Sequence, residues 1–95
     1  MNFMFTDAPD TACFVCTHVL KRDRPILYVT HTEEEGFWSF LCGYDDHHYD
    51  EDYSIISLEE ATAIDESINN LHDMPIGVGA DRATATSQWE PFKIS

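Results

Sequence analysis

Between Glu33 and Glu66 the chain has no lysine or arginine at all. The whole sequence of 95 residues holds five basic side chains against eighteen acidic ones, a net charge of −13. Residues 1–32 are balanced, with Asp7, Asp10 and Asp23 facing Lys21, Arg22 and Arg24, so the deficit belongs to the middle of the chain. A field of that sign repels phosphate backbones and anionic lipid and attracts basic proteins or divalent cations. Nucleic acid and membrane surfaces are therefore excluded as expected partners. The chain also lacks any run near the ~20 apolar residues that a membrane span needs. Its start, Met1 to Asp7, lacks the basic region and apolar run of a signal peptide, so a cytoplasmic protein is expected. Cysteines number only three. An odd count leaves one over and argues against a disulfide framework, so the thiols are expected to be reduced. Gly-x-Ser-x-Gly, P-loop and Gly-x-Gly-x-x-Gly motifs are missing too, and internal repeats are absent, so nothing points to an enzyme.

What is present suits a folded chain. Six phenylalanines, four tyrosines and two tryptophans are too many for a disordered segment. A chain this short buries only roughly 60–65% of its unfolded surface, so an added structural metal would matter. Residues 1–11 lack a period and read as a flexible arm, from which Phe3 and Phe5 can still pack on the body. Residues 12–95 read as one domain. Val15 to Leu20 suggests a short strand or knuckle. Ile26 to Thr32 is rich in β-branched and aromatic residues and is the clearest strand. Glu33 to Gly36 makes a polar turn, and Phe37 to Cys42 returns as the second arm of a hairpin, ended by Gly43. Tyr53 to Ile56 is a third strand. Ser57 and Glu60 match a capping box. Ala61, Ile64, Ile68 and Leu71 then share one helical face, with Asp65 able to break the helix in two. Met74 to Gly79 turns the chain, Ala80 to Thr86 is a weak strand candidate, and Trp89 to Phe92 docks aromatic rings on the body. The expected fold is a small α+β domain: an antiparallel sheet with one or two helices on one face, and a structural zinc knuckle as a candidate addition.

The chemistry-bearing residues gather between Cys13 and His48. Structural zinc takes four thiolate or imidazole ligands in a tetrahedron, and a Cys-x2-Cys turn supplies two at a suitable bite. Cys13 and Cys16 form one half-site on this reading, and Cys42 with His47 the other. His18, His31 and His48 are alternatives for the fourth place. The same Cys13 and Cys16 could serve thiol redox chemistry, but no helix follows them to activate a thiolate. The acids Asp45, Asp46, Asp50, Glu51 and Asp52 could hold calcium, though the register of a calcium loop is missing. His47 and His48 beside them could form an acid–base dyad. As a solvated loop, the same stretch with Tyr44 and Tyr49, together with Trp38, makes a protein-binding surface, since aromatics give large contact area at low entropy cost.

Several short stretches carry a resemblance: Cys16-Thr-His18-Val-Leu20, Pro25-Ile-Leu-Tyr-Val29, Gly36-Phe-Trp38-Ser-Phe40 with Gly43 and an acidic loop, Ile56-Ser-Leu58, and Asp73-Met-Pro75-Ile-Gly77. Through these, from about Ala12 to Arg82, the chain resembles a family of small bacterial domains of unknown function regarded as immunity proteins of polymorphic toxin systems. It departs from the family pattern at Phe37, which separates Gly36 from Trp38. The resemblance implies a non-enzymatic protein that neutralises a toxin domain, and the acidity implies that the toxin is basic. The alternative is a zinc-stabilised structural or adaptor domain whose charge is incidental.

Overall fold

The computed structural model describes residues 5, 7–32, 37–43 and 53–94. Strand β1 (Ala12–Cys16) runs into a single helical turn, α1 (Thr17–Leu20). Strands β2 (Tyr28–His31), β3 (Trp38–Leu41) and β4 (Tyr53–Ser57) follow. Then come helix α2 (Leu58–Ile64), a 3-10 helix (Glu66–Leu71), and strands β5 (Val78–Asp81) and β6 (Glu90–Lys93). The strands form one six-stranded sheet in the order β4-β1-β3-β2-β5-β6. The α+β architecture is the one expected, with a mostly antiparallel sheet and a few short helices.

One pairing departs from a purely antiparallel sheet. The expected hairpin forms, with Val29 opposite Phe40. Strand β3, however, also inserts between β2 and β1 and runs parallel to β1, with Cys13 opposite Trp38 and Val15 opposite Phe40. The C-terminal ends of β1 and β3 therefore lie side by side. Gly43, at φ +81°, occupies the left-handed region just past that end, where glycine carries no steric penalty.

The helices begin and break where local chemistry directs. The Ser57 hydroxyl accepts from the Glu60 amide at 3.1 Å, and the Ser57 amide donates to the Glu60 carboxylate at 3.3 Å, which is the capping box. Two other orphan amides of the first turn of α2 donate to the arm: Leu58 to the Thr11 carbonyl and Glu59 to the Pro9 carbonyl. At Asp65 the backbone turns extended, and its carboxylate caps the following 3-10 helix at the Ser67 amide. Inward residues of both helices, Leu58, Ala61, Ile68 and Leu71, pack with Cys13, Val15, Val29, Trp38, Phe40 and Ala80 of the sheet. Phe5 joins this core, its ring edge-on to Trp38 at 5.0 Å.

Arg82 ties the core together. Buried just past β5, it donates to the Ile26 carbonyl through Nε and Nη2, to the Ser67 hydroxyl, and to the Asp65 carboxylate at 2.7 Å. Its guanidinium lies 4.0 Å from the centre of the Trp89 ring. The cation thereby satisfies a loop carbonyl, the 3-10 cap and an aromatic face at once. Among the described residues no helix is long and apolar enough to cross a membrane.

Candidate metal site

The parallel register decides which cysteines meet. Cys16 closes β1 and Cys42 follows the last residue of β3, so both sit at the same end of the sheet. The turn of α1 then brings His18 back over them. The ligand atoms of Cys16, His18 and Cys42 all lie within 4.8 Å of one another. Cys42 Sγ is 4.0 Å from His18 Nδ1. In a tetrahedron with metal–sulfur bonds near 2.3 Å, ligand atoms stand about 3.8 Å apart, so a contraction of less than about 1 Å would close this triad around an ion. The Cys-His-Cys group could therefore hold a metal ion. Both cysteines are buried and His18 is half-buried.

Charge at the triad is already partly arranged. Burial pushes the Cys16 thiol up, opposed in part by backbone hydrogen bonds with Val19 and Cys42. A bound cation would reverse that balance by favouring the thiolate. Arg24 supplies a positive charge at the same place, its Nη1 lying 3.5 Å from His18 Nδ1 and 3.8 Å from Cys42 Sγ. An incoming metal would compete with Arg24 for those atoms. The Cys16-x-His18 spacing at a strand end was the available signal for His18. Nothing in the sequence pointed to Arg24.

Two expected site residues need correction. Cys13 is not in the triad. The chain is extended through Ala12–Cys16, so three residues carry it about 10 Å from Cys16 and no Cys-x2-Cys bite forms. Cys13 instead registers with Trp38 at the far end of β1 and is buried beneath the helices. Trp38 is not a surface anchor. It is 1% exposed, stacks on His31 at 3.9 Å, and donates from Nε1 to the Asp7 carboxylate at 2.9 Å. Strand alternation turns Trp38 and Phe40 inward together. His31, an alternative ligand, donates from Nδ1 to the Met74 carbonyl. His47, His48 and the partner-surface candidates Tyr44, Asp45, Asp46, Tyr49, Asp50, Glu51 and Asp52 lie outside the described residues.

A groove of about 880 Å³ opens elsewhere, lined by Leu71, Met74, Val78, Arg82 and Trp89 among others. Of its polar lining residues, Arg82 and Ser67 are bonded to each other and to Asp65. No protein-family model, curated protein or solved structure matches the chain. The fold and the site define it only as a small α+β protein with a candidate metal-binding triad.

Proposed function

We propose that this is a non-enzymatic binding protein whose partner is a basic protein, in the manner of an immunity protein neutralising a basic toxin domain. The observation that carries this reading is the block of twelve acids without one base between Glu33 and Glu66. The described end of that block is β4 and α2, where Glu59 and Glu60 are exposed beside a strand that forms one edge of the sheet. Such a field would steer a cationic surface inward and discriminate against acidic competitors. Titration with candidate basic toxin domains from 50 to 500 mM NaCl tests it. The expected affinity falls at least about tenfold across that range. Association that ignores salt, or none at any ionic strength, overturns the proposal.

The ion suited to Cys16, His18 and Cys42 is zinc, because two thiolates and an imidazole match its borderline-soft preference. With a fourth ligand completing the tetrahedron its role would be structural, pinning the ends of β1 and β3. Native mass spectrometry is expected to show one zinc per chain, lost in Cys16→Ser and Cys42→Ser but kept in Cys13→Ala. Zinc removal is expected to lower the melting temperature by about 5 °C or more. A melt unchanged by chelator, with no metal retained, rules zinc out.

A further inference from the structure

The sheet has two faces, and helix α2 and the 3-10 helix cover one of them. Alternation along the strands places Ile55, Phe14, Ser39, Thr30, Gly79 and Phe92 in one row across all six strands, on the face opposite Val15, Phe40 and Val29. The next row on the same side includes Tyr53, Leu41, Tyr28, Asp81 and Glu90, with Cys16 of the triad buried between Tyr53 and Leu41. A solvated face of an antiparallel sheet is ordinarily polar. This one carries Phe14 against Phe37 with ring centres 5.3 Å apart, and Tyr28 against Phe92 at 5.5 Å. Ile55 stands 64% exposed beside them on edge strand β4. Helix α2 and the 3-10 helix pack on the other side, with Cys13, Val15, Val29, Trp38 and Phe40.

Glycine keeps the surface flat at its far end. A Cβ on Gly79 would stand 2.6 Å from the Phe92 ring and 2.9 Å from the Val29 carbonyl oxygen, so Phe92 lies across a position where no side chain fits. Five strand gaps of about 4.8 Å make the row about 24 Å long.

We infer that the face bearing Phe14, Tyr28, Phe37, Leu41, Ile55 and Phe92 is the docking surface for the basic protein partner, meeting a flat apolar patch bordered by lysine and arginine. The inference rests on the binding reading above and adds the surface to it. Charge selects this occupant over a second copy of the chain. Stacking two copies would bring −13 against −13, with exposed Asp81 and Glu90 in the apposed rows. The same two acids, at one end of the patch, complement a basic rim. Aromatic side chains are enriched among the residues that carry most of the energy of an interface.

The probe is a synthetic strand peptide alternating lysine and tryptophan, titrated into the full chain by NMR, with glutamate–tryptophan and lysine–serine peptides as controls. The lysine–tryptophan peptide is expected to shift the resonances of Phe14, Ile55 and Phe92, and both controls to leave them unmoved. Ile55→Thr is expected to weaken binding at least threefold while the melting temperature holds, and the half-buried Phe14→Thr to weaken it as much with a melting temperature lower by about 5 °C. Salt-sensitive binding that moves only residues outside this face, unaffected by either variant, overturns the inference and leaves the acidic-binder reading standing. Binding at this face of the glutamate peptide with equal affinity overturns the basic partner. A dimer in sedimentation that Ile55→Thr dissolves would assign the face to a second copy and overturn the inference.

Discussion

Phe37 and Trp38, neighbours at the start of β3, show how differently the two faces of the sheet are used. Trp38 points under the helices, is 1% exposed, and has Phe5, His31 and Asp7 as partners. Phe37, one residue earlier, points the other way, is half-buried, and meets Phe14 across the strand. Both are aromatic, so composition does not separate them. The covered face joins aromatic bulk to satisfied polar atoms, whereas the open face leaves its rings partly in water. Stability should therefore depend mainly on the covered face.

The largest effect expected is at Trp38. Trp38→Ala removes a fully packed ring and takes the indole donor from the half-buried Asp7 carboxylate, so a loss of about 3–5 kcal/mol is expected. Phe37→Ala should cost roughly 1 kcal/mol, because its ring has less to lose. Urea unfolding of the two variants checks the contrast, and equal losses would mean that the faces are energetically alike. Arg82→Met comes next. It keeps the stem that packs beside Trp89 but leaves the Ile26 carbonyl, Ser67 and Asp65 without their donor. About 2–3 kcal/mol is expected, less than for a fully buried pair because Asp65 is partly in solvent. If Arg82→Met unfolds at the wild-type urea midpoint, the cation is not what joins loop, sheet and helix.

The parts of this arrangement that were legible in the sequence are the ones set by neighbours along the chain. Ser57 and Glu60 announce a helix start because both partners of the cap lie within one turn. The β2–β3 hairpin shows in two apolar runs around a polar turn, and the break at Asp65 shows in its capping chemistry. The insertion of β3 beside β1 depends on contacts more than twenty residues apart, and no local pattern encodes it. That insertion decides the candidate metal site, since it gathers Cys16 with Cys42 and leaves Cys13 behind. A Cys-x2-Cys motif suggests a turn only if the chain between is not extended, and Phe14 and Val15 are good strand formers. Alternation through Phe37, Trp38, Ser39 and Phe40 predicts two faces but not which one turns inward, so Trp38 read as a surface anchor. Strand β6 was hidden by Pro91, which a sheet tolerates at an edge.

A pH titration sharpens the contrast from the covered side. Burial first, and then the negative charge of Glu60, push the Cys13 thiol from 9.0 up to about 12. Above about pH 9 the unfolded chain loses this proton while the folded chain keeps it. The unfolded state then binds fewer protons, so stability falls as pH rises from 9 toward 12. The slope from one such group is about 1 kcal/mol per pH unit, and Cys16, also raised by burial, acts in the same direction. Urea unfolding between pH 8 and 11, in reductant and chelator, should show the decline, and Cys13→Ala should flatten it by about half. An unflattened slope would mean that Cys13 is not held in a dry core.

The smallest expected effect lies at Ile55. Its side chain is 64% exposed on edge strand β4, opposite Phe14. Ile55→Thr keeps a β-branched residue of good strand propensity and removes apolar surface that is mostly in water already. The stability change should therefore stay within about 0.5 kcal/mol, the range of ordinary surface substitutions. A loss above about 1.5 kcal/mol would require the methyl groups to be packed in the folded protein, which means that something covers this face. The stability of Ile55→Thr in the isolated chain is thus a direct test of whether the second face of the sheet is open.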